Sequence, residues 1–204
     1  RLLLCIAHAA LDGPTDRDEW VACLERLPAE AAKYLRKWKA AFELFGDGPR
    51  FQQWSAASQP TVMSVHKLVF VDKDSATLFT HDAVPENPLP CEKLALALVS
   101  FQCFAAGGRV EGTADSLKAG LARQGSALHT FIRGSSLIET VHANLVTKEQ
   151  SADLAPLHWG RPLWEFGGAD KLLPERDKVA TGYLSRLAPA TRFLWIQDDR
   201  RGVA

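Results

Sequence analysis

Apolar positions recur along this chain in two rhythms. Residues 2–11 (LLLCIAHAAL) form an unbroken apolar run that Gly13-Pro14 ends, which predicts a short buried helix. Thr15 followed by Asp18 offers a cap for a second helix over residues 16–26. Pro28 opens a third over 29–45, where Tyr34, Leu35, Trp38, Phe42 and Phe45 recur at three- and four-residue steps and predict one buried face. A strong helix is predicted over 91–105, with Leu94, Leu98, Phe101 and Gln102 on related faces. Another is predicted over 136–146, with Leu137, Thr140, Val141 and Leu145 on one side. Residues 67–72 (KLVFVD), 77–80 and 128–132 (LHTFI) are strand candidates. Residues 81–90 and 151–177 are proline-bearing loops. The predicted fold class is α+β: helix-dominated, with short strands and long ordered loops. Loops of that length in a compact domain usually serve function or pack on a partner.

Composition narrows the picture. The chain has 204 residues, 47% apolar and 24% charged, an ordinary globular balance for one domain or two small ones. No apolar run reaches the roughly 18 residues of a membrane span, and no internal repeat stands out. Twenty-four basic residues balance 24 acidic ones, which argues against a free-standing polycationic nucleic-acid binder but not against a subunit that touches nucleic acid over a small area. Cys5, Cys23, Cys91 and Cys103 form no C-x-x-C pair. They read as reduced, in a cytoplasmic protein, with no metal site expected. The chain opens without methionine and closes just after a charged turn, as a fragment would.

Catalytic signatures are missing. The histidines, His8, His66, His81, His129, His142 and His158, make no H-x-x-x-H, and there is no G-x-S-x-G, phosphate-loop or H-E-x-x-H pattern. His81-Asp82 reads as a polar loop pair and Cys103 as core. No enzymatic activity and no cofactor are expected. Gly107-Gly108-Arg109 closes the 91–105 helix. One glycine is explained by a helix C-cap; two in a row admit the close approach of another backbone, such as nucleic acid. Residues 105–135 hold four basic residues (Arg109, Lys118, Arg123, Arg133) against two acidic ones (Glu111, Asp115), a local charge of +2 that suits phosphate contact or an ordinary solvated surface. Trp20 and Trp38 are expected in the core. Trp159 and Trp164 flank Gly160-Arg161-Pro162 in a loop expected to fold back on its own tryptophans.

Taken in order, these segments resemble the CasA family, the large subunit of the type I-E CRISPR surveillance complex, Cascade. The series runs from the apolar opening helix to Gly48-Pro49-Arg50-Phe51-Gln52 (P-F-x-Q), then residues 64–68 and Ala76-Thr77-Leu78-Phe79 (A-x-L-F). Next come FQCFAAGG (101–108), Phe131-Ile132-Arg133-Gly134 (V-R-G), Gly160-Arg161-Pro162-Leu163-Trp164-Glu165 (G-R-P-x-W-E) and Thr181-Gly182-Tyr183-Leu184 (T-G-Y-L). The resemblance implies that residues 1–204 are most of the family's N-terminal domain, without its extreme N-terminal strand, its C-terminal four-helix bundle or the lysine and glutamine wedge that lie beyond. It implies recognition of the protospacer-adjacent motif (PAM) in double-stranded target DNA through the minor groove, with the glycine loop at Gly107 and Gly108 and neighbours Ala106 and Arg109. It implies a docking loop that begins at Phe79, Thr80 and His81 and sits near the 5′ handle of the guide RNA. Its partners would be the other Cascade subunits, the guide RNA, the target DNA and a recruited nuclease-helicase, with no membrane. Lys118, Arg123 and Arg133 are candidate phosphate contacts. The competing reading is a protein-interaction scaffold that never touches DNA.

Overall fold

A computed structural model describes residues 1–46, 50–54, 65–68, 90–104, 130–153, 158–167, 182–189 and 194–197. Its helices are α1 (Leu2–Leu11), α2 (Arg17–Lys37), α3 (Cys91–Phe104), α4 (Leu137–Ala143), α5 (Lys148–Asp153) and α6 (Tyr183–Leu187). Short 3-10 turns cover Lys39–Phe42, Val65–Leu68 and Leu163–Phe166. The described residues are helix-dominated, as the pattern predicted.

No β-strand forms among the described residues; pairing there is limited to one isolated bridge, Arg50 to Gln53. Lys67 and Leu68, which begin a strand candidate, lie in a 3-10 turn. Residues 69–72, the 77–80 candidate and residues 128–129 lie outside the described residues. Residues 130–132 are irregular rather than sheet, for a reason given below.

The helices α1 and α2 form the centre, and α1 also packs on α4 and α6. Apolar almost all round, α1 buries Cys5, Ile6, Ala7 and His8. It stops where Asp12 and Gly13 turn left-handed (φ 55° and 63°). The N-cap of α2 is Asp16, not Thr15: its carboxylate accepts from Glu19 N at 2.9 Å, and the Glu19 side chain reaches back to Thr15 N at 2.6 Å.

Two predicted helices prove to be one. The helix α2 runs straight through Pro28. Proline removes the hydrogen bond to the carbonyl four residues earlier, on Leu24. Leu24 and Pro28 face water, so solvent serves that carbonyl and the helix continues. The buried stripe keeps its phase across the proline, through Cys23, Leu27 and Tyr34. Leu35, expected in that stripe, lies one residue and about 100° further round and is exposed. The helix ends at Lys37, and Lys39–Phe42 winds as 3-10, so the predicted 29–45 helix is shortened.

Among the described residues, three apolar clusters result. Cys5, Ile6, Tyr34, Trp164 and Leu184 join α1, α2, the 158–167 loop and α6. Ala7, Cys23, Leu27 and Leu145 join α1, α2 and the segment after α4. Leu68, Leu94, Leu98 and Ile196 gather round α3. Trp20 and Trp38 pack against the first two clusters, as expected. Leu137, expected on the buried side of its helix, is 65% exposed. Residues 148–153, partly read as loop, form α5. It is capped reciprocally: Gln150 N donates to Thr147 Oγ1 at 3.0 Å, and Thr147 N to Gln150 Oε1 at 2.9 Å.

Candidate functional site

The glycine pair and its neighbours Ala106 and Arg109 lie outside the described residues, as do Phe79, Thr80, His81, Lys118 and Arg123. What the structure describes is the helix that delivers the pair. Leu98 is fully buried, and Leu94 nearly so. In the last turn Gln102 is also fully buried, and its Nε2 donates to the carbonyl of Gln52 at 3.1 Å. Gln52 holds a left-handed backbone, φ 52°.

The segment that receives Gln102 is itself bracketed. Gln53 Nε2 donates to Leu44 O at 2.8 Å, and Gln53 Oε1 accepts from Ile196 N at 2.8 Å. Arg50 Nη1 donates to Ile196 O at 2.8 Å, and its guanidinium lies 3.8 Å over the Trp195 ring. Residues 50–54, α3 and 194–197 thus form one hydrogen-bonded base. A buried amide that satisfies a buried carbonyl costs little, and losing it strands both groups. The R-F-Q part of the P-F-x-Q element is therefore structural here. Beside Gln102, Cys103 is buried, and burial pushes its thiol above the ordinary range. That suits core packing, not a nucleophile.

Arg133 is the one candidate phosphate contact among the described residues, and it is exposed. Its segment is held by side chains of α4 and its C-cap. Asn144 Oδ1 accepts from Ile132 N at 2.9 Å, and its Nδ2 donates to Ile132 O at 2.7 Å. One amide side chain thus takes the place of a neighbouring strand, so 130–132 needs no sheet. Gly134 N donates to Thr140 Oγ1 at 3.0 Å, and Ser135 N to Glu139 Oε2 at 2.9 Å. A Cβ on Gly134 would lie 2.6 Å from the Glu139 Cβ, which accounts for the glycine after Arg133.

The two later motifs meet each other. Tyr183 N donates to His158 O at 2.9 Å, and Leu184 N to Trp159 O at 3.1 Å. Gly160 has φ +69°, and a Cβ there would come within 3.0 Å of Gly182 Cα. Trp164 is buried and donates from Nε1 to the Tyr34 hydroxyl at 2.8 Å, while that hydroxyl donates to Glu165. Burial first, and then Glu165, hold the Tyr34 hydroxyl well above its usual pKa, so it keeps its proton. The 158–167 loop does fold back on its own tryptophans.

Two of the described histidines, His8 and His142, are internal, whereas His158 is exposed. His8 is fully buried between the rings of Trp159 and Tyr183, at 5.1 and 5.3 Å. Burial lowers its pKa to about 3. His142 packs 4.2 Å from Trp20, and its Nε2 lies 2.7 Å from Trp20 O. Among the described residues no group of three or more His, Cys, Asp or Glu side chains could hold a metal ion, and no helix is long and apolar enough to cross a membrane.

Sequence reasoning passed over Gln53, Gln102 and Asn144 as functional supports. The only signal was their polarity inside or beside apolar runs.

A family model described as CRISPR-associated protein Cse1 (CRISPR_cse1) matches residues 1–202. No curated protein and no solved structure matches the chain. The match spans the opening helix, the base of α3, the Arg133-Gly134 turn and the joined 158–167 and 182–189 segments. The chain belongs to the Cse1 (CasA) family, the large subunit of the type I-E CRISPR complex Cascade.

Proposed function

We propose that this Cascade subunit recognises the PAM in duplex target DNA through its glycine loop, without catalysing a reaction. On this reading residues 1–204 are most of the N-terminal domain of the subunit. Gly107 and Gly108, with Ala106 and Arg109, lie against the minor groove. That groove carries little base information, so close backbone approach suits it, and pairing with the guide RNA carries the sequence. Lys118 and Arg123 contact phosphates. Phe79, Thr80 and His81 open a loop that docks beside the guide RNA, and the assembled complex recruits the nuclease-helicase after target binding.

The observation that carries this reading is the family match over 1–202. The base of α3 supports it. The last turn of this helix is pinned through Gln102, and a fixed anchor lowers the entropy lost on binding.

The test uses Gly107→Ala and Gly108→Asn in the intact subunit within assembled Cascade. A helix cap alone tolerates asparagine at a left-handed position, whereas a Cβ facing a groove collides with it. Assembly should survive in both variants. Binding to duplex bearing the correct PAM should fall at least about tenfold, or about 1.4 kcal/mol, and binding to single-stranded complementary DNA should hardly change. Equal losses on both substrates would assign the glycines to the fold alone.

A further inference from the structure

We propose that Phe131, Ile132, Leu137 and Ile138, with Arg133 among them, form a docking surface for a neighbouring protein subunit of the assembly. The four apolar side chains are 71%, 63%, 65% and 40% exposed. The exposed apolar residues Leu3, Val21, Leu24, Leu35 and Leu96 are spread over α1, α2 and α3, whereas these four fall within eight consecutive residues.

They are also presented together. Asn144 clamps both backbone groups of Ile132, and Thr140 holds Gly134. Leu137, Thr140 and Asn144 stand three and four residues apart, so they share one face at α4. The 132–134 backbone lies along that face, with Leu137 at its start and Ile138 at its margin. The backbone at Ile132 and Gly134 is therefore held before any partner arrives, and less entropy remains to be lost there.

Area and charge choose the occupant. At about 200 Å² for a fully exposed large apolar side chain, the four expose roughly 450 Å². Patches of that order mark interaction sites on soluble proteins. It is also only about half of the ~800 Å² per partner that a stable two-body interface buries. The face is therefore too small to hold a second copy alone, but it suits one contact among several in a multi-subunit complex. Arg133 is the one charged side chain from Phe131 to Ile138, and the nearby Glu139 carboxylate is engaged by Ser135. The complementary surface is apolar with a carboxylate opposite Arg133. Three of the four apolar side chains are aliphatic and give a base nothing to stack on, so a protein fits better than a nucleic acid. On this proposal Arg133 meets a carboxylate and not a phosphate.

The inference rests on the membership in a Cascade family and is tested without DNA, so that its failure is separate from failure of PAM recognition. Phe131→Ala/Leu137→Ala and Arg133→Glu are made in the intact subunit and titrated into the remaining Cascade subunits with guide RNA. Both variants alone should melt within about 2 °C of wild type, because exposed substitutions shift stability little. Both should join the complex at least tenfold more weakly, and the Arg133→Glu loss should shrink at high salt. Phe131 replaced by photoreactive benzoylphenylalanine should cross-link to a protein subunit. Unchanged assembly, a cross-link to RNA, or a large fall in melting temperature showing that the chain's own residues cover this face would each overturn the proposal. Loss of PAM binding with assembly intact would instead count for the glycine loop and against any need for this surface there.

Discussion

Gly13 carries two constraints at once. Its φ of +63° is a conformation that an L side chain enters only at a cost, and a Cβ there would lie 2.1 Å from Cζ2 of Trp159. The left-handed backbone costs roughly 1–2 kcal/mol, and overpacking a filled site adds about 1–3 kcal/mol. Gly13→Ala should therefore destabilise the protein by about 2–5 kcal/mol, read as a lower urea midpoint with an unchanged slope. A shift under about 0.5 kcal/mol would mean that Trp159 does not seat on the α1 terminus. His8 gives a second reading at this scale. It is buried, Nδ1 has no partner, and its folded pKa is about 3 against about 6.5 unfolded. A base whose folded pKa is lowered binds its proton mainly in the unfolded state. Its contribution is thus constant above about pH 6.5, and stability falls as pH drops toward 3, by up to about 1.4 kcal/mol per pH unit. His8→Gln should flatten that limb of the stability–pH curve relative to wild type. An identical slope in both proteins would show that His8 is protonated within the fold. The glycine constraint was half legible in the sequence, because Gly13-Pro14 marked a helix stop. The tryptophan pressed against it comes from 146 positions later, and no local pattern carries that.

Among the elements, α1 and α3 were read almost to the residue, since their apolar runs and their stops are local. The reading failed where a side chain replaced backbone. Pro28 was read as a boundary because proline lacks a donor, but the lost bond falls on the wet side of α2, and the Cys23–Leu27–Tyr34 stripe shows that the periodicity never broke. Residues 128–132 (LHTFI) were a strand candidate. Within the described part, Asn144 supplies the two hydrogen bonds of a neighbouring strand from twelve residues away. That substitution is testable. Asn144→Ala removes both bonds and the third bond from Nδ2 to Thr140 O at 2.7 Å. At roughly 1 kcal/mol net per hydrogen bond, the local opening energy of the segment should fall by about 2 kcal/mol. Amide exchange at Ile132 should then speed by at least tenfold, while amides in the middle of α2 keep their protection. If α2 loses protection in step, the clamp belongs to the global core and not to this one segment. The base of α3 follows the same logic. The glycine pair lies outside the described residues; of the glutamines that fix the helix before it, Gln102 fell on the periodic face of α3, whereas Gln52 and Gln53 carry polarity and no periodic signal.

At the scale of the molecule, the proposed encounter with DNA is governed by charge. Twenty-four positive and 24 negative side chains cancel. Nonspecific affinity grows with the number of phosphates neutralised, because each releases condensed counterions. A chain with no net excess, offering Lys118 and Arg123 as its two proposed phosphate contacts, displaces few of them. The isolated subunit should bind random duplex only weakly at physiological salt, with a dissociation constant above the micromolar range. The logarithm of its affinity should fall with the logarithm of salt at a slope of about −2, from roughly 0.9 per phosphate contacted. Within the assembled complex, guide pairing and the sister subunits add their own contacts, so both affinity and salt slope should rise well above those of the subunit alone. A mobility shift across a salt series, run on the free subunit and on the complex with the same duplex, measures both quantities. Sub-micromolar binding of random duplex by the free subunit, or a slope as steep as that of the complex, would mean that this chain supplies the main electrostatic contact to DNA. The division of labour argued from its zero net charge would then have to be abandoned.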